Sequence, residues 1–200
     1  MKFLTAAAIM ALVSTVCAAP NWSDWVRPGA GPAAQCPDVQ CPDVECPVDT
    51  CLQQSDAEDI VNNFIAFLDH PDIAAANVTA QALLAEGFYE KSDSINMLAG
   101  HPIGSVTFEG KQSYIGAVLS SPRLDAIEII KIFPAGCDHV LFYWRMGVGS
   151  KQIPVQGFNL FEIVGDNQIG SMFVEFNNIG WGIDIGYTAF NPAGVQLPLA

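Results

Sequence analysis

Hydrophobic and polar positions along the 200 residues follow three different rhythms. Between residues 20 and 54 there is none: Pro20, Pro28, Pro32, Pro37, Pro42 and Pro47 recur among Gly and Ala, no apolar face can form, and an irregular spacer without a core is expected. From Ser55 the rhythm is helical. Ile60, Val61, Phe64, Ile65, Phe67 and Leu68 recur at spacings of three and four, Ser55 and Glu58 read as a capping box ahead of them, and His70-Pro71 ends the run. An Ala-rich helix over roughly 72–84 follows. A mixed segment from Phe88-Tyr89 through Leu98 reads as a first strand, and Tyr114, Ile115, Val118 and Leu119 share one face of a short helix over 112–120.

After Pro122 the period drops to two. Strands are expected over 125–133, 139–147, 153–164 and 169–177, with turns at Pro134-Ala135-Gly136, Gly147-Val148-Gly149 and Gly165-Asp166-Asn167. Consecutive hairpins make the sheet antiparallel, so the fold class is α+β: a curved antiparallel sheet with about three helices packed on one face. Side chains alternate across a strand, which puts Leu141, Tyr143 and Arg145 on one face and Val140, Phe142, Trp144 and Met146 on the other. Both faces are largely apolar. One is expected to line the core under the helices and the other to be covered by a second copy in a homodimer, or else by the spacer or the tail after Gly186.

The N-terminus changes the compartment. Lys2, the apolar run Phe3 to Val16 and the small residues Cys17, Ala18 and Ala19 have the layout of a secretory signal peptide, with cleavage expected after Ala18 because Pro20 disfavours a later cut. The run is shorter than the ~20 residues a membrane-spanning helix needs. The expected organisation is therefore a signal peptide over 1–18, a Pro/Cys-rich spacer over 19–54, one domain over 55–187 and a tail over 188–200, the whole secreted to the extracellular side. A formal charge of -13 repels phosphate backbones and anionic membranes, so neither nucleic acid nor membrane is an expected partner. The sequons at Asn21 and Asn77 suit glycosylation of an exported chain.

Within the spacer a cysteine stands at every fifth residue, Cys36, Cys41, Cys46 and Cys51, the first two each followed by Pro-Asp-Val. With Cys137 these make five in the processed chain, an odd number, which leaves one thiol free or bonded between chains. An exported chain favours disulfides over zinc, whose ligands usually stand two to four residues apart. All five are disulfide candidates and the sequence leaves their connectivity open; one pairing is Cys51, at the edge of the domain, with Cys137, which would leave Cys36, Cys41 and Cys46 for local or intermolecular bonds.

The element order resembles the nuclear transport factor 2-like superfamily, which includes the SnoaL-like polyketide cyclases. The strings that carry the likeness are His70-Pro71-Asp72 between the first helices, Phe108 to Gly116 before the strands, and Val155 to Ile163 with Phe173-Val174-Glu175-Phe176-Asn177 as the final hairpin, followed by Trp181. The ending is similar to that of small secreted fungal members. The resemblance implies a cystatin-like cone whose helices close over the sheet around a cavity, used in that superfamily by cyclases, dehydratases, isomerases, epoxide hydrolases and pure binders. The SnoaL-like enzymes use an acidic residue near the end of the last hairpin. Here the nearest positions hold Glu175 and Asn177, so Glu175 alone is left as the catalytic candidate.

Two-residue spacing suggests that Asn159, Phe161, Phe173, Glu175 and Asn177 converge with Tyr143 on a pocket with apolar walls and a few polar points. Asp138-His139 pairs a carboxylate with an imidazole, although neighbours on a strand point apart. No hydrolase elbow, zinc-protease motif or phosphate-binding loop occurs, so neither a metal nor a cofactor is expected. The leading expectation is a secreted binder of a small apolar molecule. The alternatives are a SnoaL-like cyclase, dehydratase or isomerase with Glu175 as base, and a disulfide-crosslinked extracellular interaction protein.

Overall fold

A computed structural model describes residues 51–124, 126–149 and 153–197; the signal, most of the spacer and Asn21, Cys36, Cys41 and Cys46 lie outside the described residues. Helix α1 (Gln54–Asp69) buries Ala57, Ile60, Val61, Phe64 and Phe67, the apolar stripe of the sequence. It starts earlier than Ser55 because the Asp56 carboxylate, rather than Glu58, accepts the backbone N–H of Gln53 at 2.9 Å. His70 ends it in a left-handed backbone conformation (φ 28°), and Asp72 then caps α2 (Ile73–Leu83) by accepting the N–H groups of Ala74 and Ala75.

The segment expected as a first strand divides. β1 (Leu84–Lys91) leads into α3 (Asp93–Ala99), which Ser92 caps by accepting from Ile95 N–H at 3.0 Å and Gly100 closes at φ 73°. Seven residues are too few for a helical period to show in sequence. A short β2 (Val106–Glu109) and α4 (Lys111–Ser120) precede the long strands β3 (Glu128–Ala135), β4 (His139–Gly147), β5 (Pro154–Val164) and β6 (Gln168–Phe176). A last helix, α5 (Asn178–Asp184), begins where Asn177 Oδ1 accepts from Gly180 N–H. The helices thus number five among the described residues, against the three expected.

The strands form one sheet in the order β2-β1-β6-β5-β4-β3. Every pair is antiparallel except β1–β6, which is parallel, so the expected all-antiparallel sheet is corrected at that one seam. The crossover arises because β1 comes before α4 in the chain yet must pair with the last strand to close the cone's wall. The core lies on the concave side: Phe64 meets Phe161 edge-on at 5.0 Å, and Tyr114 packs against Phe67, Phe88 and Phe108. A disulfide joins Cys51, ahead of α1, to Cys137 in the β3–β4 turn, and Leu52 N–H donates to the Cys137 carbonyl beside it.

Candidate functional site

The helices leave part of the concave side unfilled, as a half-open cavity of about 670 Å³. Phe64 and Leu68 of α1 and Tyr114, Ala117 and Val118 of α4 form one wall. Phe142, Trp144 and Met146 of β4 with Met172, Val174 and Phe176 of β6 form the other. Leu98, Val148, Trp181 and Ile185 stand around the remaining side.

Few polar groups interrupt this lining, and those whose polar atoms are fully buried are engaged in all but one case. Trp144 Nε1–H donates to Asn159 Oδ1 at 2.6 Å, and Asn159 Nδ2 lies 2.9 Å from Met172 Sδ. The His70 ring nitrogens face the carbonyls of Leu68 and Ser121 at 2.8 and 3.2 Å, and Arg123 binds Asp69 through Nε and Nη2. The exception is Glu90. It lines the cavity at 1 % exposure, and neither carboxyl oxygen has a hydrogen-bond partner. Strand alternation puts it there: on β1 the inward row is Phe88 and Glu90, and the residues paired with Glu90 across the sheet are Phe108 on β2 and Met172 on β6, neither of which offers it a polar side-chain atom. Burial lifts the Glu90 carboxyl from 4.5 to about 8. The Tyr114 hydroxyl in the same lining is pushed well above its usual range, first by burial and then by the Glu90 charge. A carboxylic acid held neutral in this way can donate one hydrogen bond and accept another, or deliver a proton.

The residues expected from sequence to converge on a pocket fall on two faces. The pairing sets Phe142 against Asn159 and Asn159 against Val174, all inward, whereas Tyr143 opposes Phe158 and Phe158 opposes Glu175, all outward. Asn159 is therefore the one candidate in the cavity lining. Phe161 is inward but buried against Phe64 in the core. Tyr143 stacks on Phe158 outside, donating its hydroxyl to Gln156, and Phe173 stays 40 % exposed beside Tyr89. Asn177 caps α5.

Glu175 likewise leaves the cavity. Its carboxylate caps α3 from outside, accepting from the N–H groups of Asp93 and Ser94 at 2.6 and 3.0 Å and from the Ser94 hydroxyl, so the expectation of Glu175 in the pocket is corrected. His139 holds Asp138 at 2.6 Å at the start of β4, away from the cavity lining. Asn77 lies on α2 with its side chain partly exposed. Glu90 was not singled out in the sequence, because Gly-Phe-Tyr-Glu-Lys looks like an edge strand until β1 is set between β2 and β6.

The sequence matches the NTF2-like domain family over residues 50–188. No curated protein matches it. Among solved structures, the putative polyketide cyclase IdmH from Streptomyces antibioticus is similar at 16% identity and a TM-score of 0.50, over 66% of this chain and 99% of that one. A SnoaL-like protein of unknown function from Burkholderia thailandensis is similar at 21% identity and a TM-score of 0.48, over 63% and 98%. RV0760c from Mycobacterium tuberculosis, solved in complex with estradiol-17beta-hemisuccinate, is similar at 14% identity and a TM-score of 0.47, over 62% and 96%.

Proposed function

The chain belongs to the NTF2-like domain family, and from that premise we propose that it binds one small, mainly apolar molecule in the cavity, with the molecule's polar group held at Glu90. The observation that carries this reading is the carboxyl with two unpartnered oxygens facing apolar walls. Leaving a buried polar group unpaired costs about 1–3 kcal/mol or more, and an apolar side chain of similar size at position 90 would avoid it. A ligand that supplies the missing partner offsets the cost, and the aromatic and aliphatic walls supply the remaining affinity through burial.

A second reading has its own observation. The lifted Glu90 carboxyl retains its proton near neutral pH, the condition for a general acid, and on this reading the protein is a cyclase or isomerase that protonates a bound oxygen from Glu90. In either case the domain works outside the cell after loss of its signal. A second copy covers the outer row of Phe133, Tyr143, Phe158 and Phe173, and Cys36, Cys41 and Cys46 are available for crosslinks.

Native mass spectrometry of the secreted protein, followed by denaturing extraction, tests the binding reading. We expect a small molecule released from the wild type and absent from Ala117→Trp, whose indole fills the cavity from α4. Equal ligand content in the two proteins would contradict it.

A further inference from the structure

We propose that the molecule held at Glu90 is an amine, bound as its ammonium form against the Glu90 carboxylate and the surrounding aromatic rings. The proposal rests on the cavity reading above and specifies the ligand's chemistry. Three observations carry it. Both Glu90 oxygens are open, and an ammonium group brings enough N–H donors to satisfy both, whereas a ketone or ether meets only the one that carries the proton. The lining around that carboxyl is rich in rings, with Phe108 beside Glu90 on β2, Tyr114 above it on α4, and Phe142, Trp144 and Phe176 on the long strands. The negative faces of such rings attract a cation, most strongly where water is excluded. The indole and guanidinium donors that a carboxylate ligand would need are already engaged: the Trp144 indole N–H by Asn159 and the Arg123 guanidinium by Asp69.

The net charge of -13 acts in the same direction, raising the local concentration of cations around the protein. The ionisable side chains lining the cavity besides Glu90 are Tyr114 on α4, His70 after α1 and Arg123 after α4. Near neutral pH the carboxyl enters the complex protonated, because burial holds it at about 8. Docking of R–NH3+ therefore converts the Glu90 acid to its carboxylate and returns one proton to solvent for each amine bound, and no other bond changes.

The experiment is calorimetric titration of the secreted protein with n-octylamine and, as a neutral molecule of equal chain length, 1-octanol. At pH 8 the amine should bind at least about tenfold more tightly than the alcohol. Between pH 6 and 7 amine affinity should rise about tenfold, with nearly one proton released as read from buffers of different ionisation enthalpy, while the alcohol's affinity stays level. Glu90→Gln should lose both the preference for the amine and the rise of amine affinity between pH 6 and 7, and a variant that keeps them would overturn the assignment. Should that variant fail to fold, the pH series on the wild type decides alone. Alcohol binding equal to or tighter than amine binding, or amine affinity level across pH 6 to 7, would overturn the amine assignment and leave the cavity reading standing. If neither probe enters, both fall together.

Discussion

Replacing Glu90 with Gln should abolish a stability loss that the wild type suffers as pH rises. The carboxyl titrates near 4.5 when the chain is unfolded and near 8 when folded. Between those values the native state holds a proton that the unfolded state has released, so unfolding free energy falls with increasing pH. At roughly 1.4 kcal/mol per pH unit the full span amounts to about 5 kcal/mol, an upper bound that water entering the cavity reduces. The contribution is complete below pH 4.5 and gone once the pH has risen through 8. Gln matches the protonated acid in shape and never ionises. The variant should thus equal the wild type in urea unfolding at pH 5 to within about 1 kcal/mol and exceed it by several kcal/mol at pH 9. Taking the difference between the two proteins at each pH cancels the groups that do not feel the Glu90 charge. A difference that stays level from pH 5 to 9 would refute the placement of Glu90 in a buried, unpartnered site.

Other perturbations probe the scaffold around the cavity. Glu175→Gln removes the charged acceptor at the α3 N-terminus and should lower stability by about 1–2 kcal/mol in chemical unfolding, while ligand binding in the cavity stays unchanged. Gly157→Ala places a methyl group 2.6 Å from Phe176 Cβ and into the Trp144 ring. It should cost about 1–3 kcal/mol and weaken ligand binding, since Trp144 must move and both rings line the cavity. Reducing the Cys51–Cys137 bond, which spans 86 residues, should destabilise the domain by about 2–4 kcal/mol, measured as a shift of the unfolding midpoint with and without reductant.

Elements with long, strong periods were legible from the residues. The α1 stripe from Ile60 to Leu68 and the alternation Val140, Phe142, Trp144, Met146 identify a helix and a strand, and both bury as the pattern requires. The order of such elements also carried the likeness to the family. Short elements were not legible: α3 and α5 have seven residues each, and their signals are single capping side chains, Ser92 and Asn177. The site was harder still. Two-residue spacing groups side chains within one strand, but only register tells which row of one strand faces which row of the next. A shift of one residue between β4 and β5 decides whether Tyr143 or Phe142 accompanies Asn159 into the cavity. Glu90 depended on the parallel β1–β6 seam, a pairing between residues more than 80 positions apart that no local pattern announces.

The most direct test of the cavity is to ask where an apolar probe sits. With isotope-labelled protein and unlabelled 1-octanol, intermolecular nuclear Overhauser effects should run from the alcohol's methylene protons to Phe142, Trp144 and Met172, and the Glu90 side-chain carboxyl resonance should shift on addition. Contacts confined to Tyr143, Phe158 and Phe173, with the Glu90 resonance unmoved, would place binding on the outer face of the sheet and contradict the account.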